Sequence, residues 1–338
     1  MKIGKVLGVA LVGACVAVGG AVADEIGEAT FVLPRDVVSA ATAFEHYMSS
    51  AARIDSGFGS GAAVAHGLKD AASYQPAQLE EGMIAYGAIA ALQDDRFVAG
   101  VDRAAGRGED RAAFAERLIE DPYAATRIEG ADEAAVRIDT VLSAKAAPLA
   151  DAAAQVKAAA YSVQHQAWSK VMVADAQGRL AELKSLAAVR AAPSEDDDEA
   201  MMRAVAGMNP PAAAPAGFTA IEARALALAA ESVLGHANGA DRDRLSPLFS
   251  EADGAECLKM AKLNLYQCMA VAGPQYEDIF CMGEHAMAET AKCVAGAAHA
   301  PGAASHTSLA SLSPGPAAAA AGFSYIPMGS HRTLKIDP

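Results

Sequence analysis

Four cysteines, at positions 257, 268, 281 and 293, constrain what this chain can fold into more than any other feature. Ten, twelve and eleven residues separate them in turn, and four cysteines allow three pairings. If residues 255–272 form one helix, Cys257 and Cys268 lie about 16 Å apart along its axis, whereas a disulfide tolerates only about 7 Å between Cα atoms. The same reasoning separates Cys281 from Cys293 on the following helix. Gly273-Pro274 is a helix stop followed by a favoured first helical residue, so the connection is short and the two helices run antiparallel. That pairs Cys257 with Cys293 and Cys268 with Cys281; the remaining pairing, 257 with 281 and 268 with 293, needs parallel helices. One mismatch stands. Eleven helical steps return to nearly the same face, but the twelve from Cys281 to Cys293 leave those two about 120° apart. Gly283 is the residue that can relax the second helix. Zinc is the competing use of four cysteines, but the C-x2-C pairs of usual structural sites are absent.

Alanine makes up about a quarter of the 338 residues, and only 5% of residues are aromatic. Alanine favours helix and disfavours strand, so the fold class is all-α. Apolar stripes support this: Phe44, Met48, Ala51 and Ile54 after Pro34, then Leu79, Met83, Tyr86 and Ala90 after Pro76. Leu149, Val156, Ala160, Val163 and Ala167 form a third stripe within 146–174, and Leu180, Leu183 and Leu186 continue the pattern. The expected organisation is a helical bundle of five to seven helices over 24–191, then an acidic and Pro/Ala-rich linker over 192–217. A disulfide-stapled helical domain follows over 218–298, and a disordered low-complexity tail over 299–338. The acidic run from Ser194 to Glu199 reads as solvated chain, not as a calcium loop, because no glycine turn spaces its carboxylates.

The first 23 residues read as a signal peptide. Lys2 and Lys5 precede an apolar run, and Ala21-Val22-Ala23 ends in the A-x-A pattern that a signal peptidase reads. Its removal takes the formal charge from -14 to -16 and leaves four cysteines, an even number that suits an oxidising, periplasmic setting. Two alternatives stand beside this. The segment is retained as a membrane helix, or Val12-Gly13-Ala14-Cys15 is a lipobox and Cys15 is lipidated, tethering an outer-membrane lipoprotein. The acidic balance argues against nucleic-acid binding, since phosphate neutralisation needs a basic face.

The run from Cys257 to Cys268, followed by Pro274-Gln-Tyr-Glu-Asp-Ile-Phe-Cys281 and Gly283-Glu-His-Ala-Met, resembles a segment of uncharacterised exported proteins of Gram-negative bacteria. The resemblance covers about 40 residues and implies no activity. In shape alone the segment is similar to the twin-cysteine helical hairpins of mitochondrial import substrates.

Catalytic signatures are absent: no H-E-x-x-H, G-x-S-x-G, Walker loop or dinucleotide fingerprint occurs, and no metal or cofactor is implied. Eight histidines are scattered along the chain. Tyr161, His165 and Trp168 at helical spacing read as an aromatic ridge. Cys281 and His285 would make a thiolate and base only if Cys281 were free of a disulfide. The reading that follows is a non-enzymatic envelope protein that presents its hairpin to an envelope partner. Tyr276, Glu277, Asp278 and Glu284 form the candidate contact surface, and Phe323, Tyr325 and Ile326 a candidate docking peptide. The alternatives are an enzyme using Glu45, His46 and Glu80 of the bundle, and a carrier for a small apolar ligand or lipid.

Overall fold

Close helix packing needs small residues at the contacts, and this chain supplies them in its central helix. The computed structural model describes residues 35–106, 109–208, 210, 217–237 and 242–298. The expected signal peptide, Cys15, and the tail with Phe323, Tyr325 and Ile326 lie outside the described residues. Helix α1 (Arg35–Ala51) buries Phe44, Met48 and Ala51, as their spacing requires. It is followed by α2 (Gly61–Ala72), capped by Ser60, and α3 (Pro76–Ala91), which starts at a proline. Helix α3 is buried over nearly its whole circumference. A Cβ on Gly82 would run into the backbone carbonyl of Ala40, so glycine is what lets α1 lie directly against α3.

Helices α4 (Asp95–Ala105) and α5 (Glu109–Glu120) lead to the 33-residue α6 (Ala131–Val163). The stripe of Leu149, Val156, Ala160 and Val163 is buried as expected. The helix begins well before 146 and ends at Val163, so Ala167 falls beyond it. Pro148 sits inside α6 on its exposed side, where the missing N–H disturbs no buried neighbour. Because the helix stops at Val163, the expected ridge does not form. Tyr161 packs edge-on against Phe280, His165 is exposed, and Trp168 occupies a separate 3-10 turn.

After α7 (Ala176–Ala188) comes a correction to the expected linker. Residues Glu195–Ala206 form helix α8, whose Ser194 and Asp197 make a reciprocal capping box. Its four first-turn acids sit at the positive end of the helix dipole, and Met201 and Val205, at i and i+4, are buried. Asp198 accepts a hydrogen bond from Thr42 at 2.6 Å, which ties α8 to α1. The remaining elements are α9 (Ala220–Val233), with a Thr219/Glu222 capping box, α10 (Arg242–Leu245), α11 (Ala252–Val271), α12 (Gln275–Cys281), a π-helical segment (Met282–Ala288) and α13 (Glu289–Ala298).

The two halves expected on either side of the linker share one core. Helix α9 packs on α3, while the π segment and α13 pack along α6. Among the described residues the structure is all-α. Among these residues the one strand-like feature is an isolated antiparallel bridge between Met172 and Pro274, and no helix of theirs is long and apolar enough to cross a membrane.

Candidate functional site

Two disulfides join α11 to the returning helix. Cys257 pairs with Cys293 and Cys268 with Cys281, with Cα atoms 5.8 and 5.7 Å apart. This is the ladder that antiparallel geometry selects. The twelve-step interval is accommodated by the π segment between Cys281 and Cys293. A π turn absorbs about one extra residue, which rotates the downstream face back by about 100° and leaves a mismatch of about 20°. The wider turn also brings Gly283 against α6. A Cβ there would lie 2.9 Å from the Lys157 nitrogen and 3.2 Å from the Ala153 oxygen, both backbone atoms. Gly283→Ala is therefore expected to cost about 1 to 2 kcal/mol, read as a lower urea midpoint with both disulfides intact. An unchanged midpoint would show that α6 yields freely at this contact.

The hairpin turn is held from α7 by a half-buried arginine. Arg179 donates through Nη1 to both carboxylate oxygens of Asp278, with 2.7 Å to Oδ2, and through Nη2 to the Met269 and Ala272 carbonyls at 2.8 and 3.0 Å. Those carbonyls belong to the C-terminal end of α11, where a cation is favoured. Burial pushes the Asp278 carboxyl up to about 6 against the pull of Arg179. Asp278 is thus an internal clamp residue and not part of a contact surface. The turn is also laced by Val173 N donating to the Gly273 carbonyl at 2.9 Å, Gln275 N to that of Val171 at 3.2 Å, and Gly273 N to Glu277 Oε2 at 2.8 Å.

Two of the expected contact residues, Tyr276 and Glu277, do face an open groove. It measures about 410 Å³ and is walled by Tyr161, Val271, Phe280 and the Cys268–Cys281 bridge. Two of its walls stand in solvent, Val271 at 83% exposure and Tyr161 at 56%, and Met172, 65% exposed, lies on the turn against Gly273. Glu284 is engaged elsewhere, in an ion pair with Lys157, whose Nζ lies 5.6 Å from the Phe280 ring centroid. His285 pairs with Glu289 at 2.9 Å, and its neighbour Cys281 is committed to the disulfide.

Glu45, His46 and Glu80 take separate partners. Glu45 accepts from Lys145 of α6 and from Ser49. His46 points outward, 3.9 Å from Asp197. Glu80 is buried and accepts the Glu251 backbone N–H at 2.6 Å, next to the start of α11. Sequence reasoning missed Lys262. Its signal is its place at i+4 from Leu258 in the stripe Leu258, Leu265 and Met269, which is the buried face of α11. Its Nζ lies 3.4 Å from the Tyr74 ring centroid and donates to the Ala72 carbonyl at 2.9 Å, and burial holds the amine well below its ordinary range.

Burial pushes Glu80 and Glu222 up to about 7 from an ordinary 4.5. A carboxyl whose folded pKa is raised binds more protons folded than unfolded between those two values, so its contribution is full below about 4.5 and is lost as pH climbs to about 7. Through these two carboxyls the protein is expected to lose stability between pH 5 and pH 8, while Lys262, whose amine is held well below its ordinary range, works in the opposite direction. Glu80→Gln keeps the acceptor for Glu251 and removes the titration. It should match the parent near pH 4.5 and exceed it by about 2 kcal/mol at pH 8. Parallel pH-stability curves for the two proteins would contradict this. Compared with known proteins, the chain matches no family model, no curated protein and no solved structure.

Proposed function

We propose that this is an exported protein of a bacterial periplasm that acts without catalysis, presenting its stapled hairpin to another envelope protein. The observation that carries the reading is the concentration of exposed apolar side chains on a turn that is otherwise immobilised. Val271, Met172 and Tyr161 stand in solvent beside the Cys268–Cys281 bridge and the Arg179 clamp. A rigid frame holding out apolar residues loses little freedom on binding, which is how a small patch gains affinity. Two disulfides fit an oxidising compartment, and the first 23 residues supply a route to it. Anchoring in the membrane enters only through lipidation at Cys15.

A photo-crosslinking residue at position 271 tests this in intact cells, with the same residue at 123, an exposed site in a 3-10 turn outside the hairpin, as control. The expected result is one discrete protein adduct from position 271 that excess unlabelled protein competes away, and none from 123. Equal adducts from both sites, or recovery of the chain in the cytosol, would overturn the reading.

A further inference from the structure

We infer that the groove beside the Cys268–Cys281 bridge binds an organic cation, an alkylated ammonium head that sits among Tyr161, Tyr276 and Phe280 with Glu277 as its counter-charge. The inference deepens the proposed function and rests on reading the hairpin as the binding surface.

Four observations point to a cation. The first is the wall itself: three aromatic side chains and a carboxylate around about 410 Å³. Aromatic faces attract cations through the ring quadrupole, most strongly for weakly hydrated alkylammonium groups. The second is the field of the backbone. The groove is lined by the last turn of the 33-residue α6, through Ala160, Tyr161 and Gln164, and by the last turn of the 20-residue α11, through Cys268, Val271 and Ala272. The α6 C-terminus brings its partial negative charge to this place, while the α11 end is already met by Arg179. The opposing N-terminus of the seven-residue α12 is offset by the first-turn acid Glu277, since Asp278 is engaged by Arg179.

The third is that this corner of the molecule already holds cations by both means. The Arg179 guanidinium sits on the terminal carbonyls of α11, and the Lys157 ammonium lies near the Phe280 ring, paired with Glu284. The fourth is the state of Glu277. Gly273 N–H holds only its Oε2, so the carboxylate is fixed in place by one oxygen beside the groove. An anion would meet the α6 end and this carboxylate. A bare metal ion would find one carboxylate among aromatic walls, and no cluster of metal-ligating side chains exists among the described residues. An alkylated ammonium satisfies the apolar walls and the negative field together, and the chain's formal charge of -14 draws it in.

Calorimetric titration of the oxidised protein with choline tests the inference, with 3,3-dimethylbutan-1-ol as an uncharged compound of the same shape. Choline should bind saturably and the neutral alcohol about tenfold more weakly. Tyr161→Leu and Tyr276→Leu should abolish the heat, and Glu277→Gln should weaken binding about fivefold. Tyr161 is largely exposed, so its variant keeps the fold and carries the test if either of the others fails to fold. Phosphatidylcholine vesicles compared with phosphatidylglycerol vesicles separate a lipid headgroup from a free solute. Saturable binding of free choline, or sedimentation with phosphatidylcholine vesicles alone, upholds the site and names the source. Equal binding of choline and the neutral alcohol, or binding to neither choline nor vesicles, overturns it. If choline fails while the position-271 adduct persists, the inference alone is lost; if choline binds and the adduct is absent, the partner reading is lost instead.

Discussion

Replacing Cys257 and Cys293 together by serine is expected to lower the unfolding free energy by about 4 kcal/mol and the melting temperature by about 10 °C. The bridge spans 36 residues of sequence, and cross-linking removes freedom from the unfolded chain in proportion to the logarithm of the loop it closes. The inner bridge spans only 13 residues, so Cys268→Ser with Cys281→Ser should cost about 3 kcal/mol. The losses are not additive, because the inner loop lies within the outer one and part of its freedom is already gone. Calorimetric scans of the oxidised parent, the two double variants and the quadruple variant measure this directly. A melt that stays within about 2 °C of the parent when both bridges are removed would mean that packing against α6 holds the hairpin unaided.

Arg179→Met is expected to destabilise the protein by about 3 to 5 kcal/mol at pH 8 and by markedly less at pH 5. The substitution leaves the buried Asp278 carboxylate and the Met269 and Ala272 carbonyls without their donor. Asp278 already has a raised folded pKa, and losing the guanidinium raises it further. The sign follows from proton uptake. Below its folded pKa the group is neutral and tolerates burial, whereas stability falls as pH rises through that value. Adding Asp278→Asn to the arginine variant should recover part of the loss at pH 8 and little at pH 5. Denaturant melts at both pH values decide the matter, and equal losses at the two would assign the effect to lost packing of the arginine stem.

What the sequence disclosed and what it concealed divide along a physical line. Features set by local geometry were legible. Helix rise and a short Gly-Pro turn chose the disulfide pairing, and apolar spacing located the buried faces of α1, α3 and much of α6. Features set by a distant partner were not. Asp278 reads as a surface acid until Arg179, 99 positions earlier, is brought beside it. The acidic stretch reads as linker by charge density, yet its Ser194 and Asp197 carry a capping signature and its Met201 and Val205 a helical period. Tyr276 and Glu277 were found because they follow the turn directly. The groove's other wall, Tyr161, comes from the end of a helix that helical spacing alone carried past Val163.

The widened turn of the returning helix has a further consequence. A regular α-helix brings two cysteines into line after eleven steps, and the outer and inner rungs here are served by intervals of eleven and twelve. Shortening 282–288 by one residue, with reversion to α geometry, would leave both rungs able to close. The segment is therefore a slack link. It lets the hairpin shed a residue next to its Gly283 seat on α6 while the cross-braces stay fastened, so the length of the arm and the lock on its base can change independently.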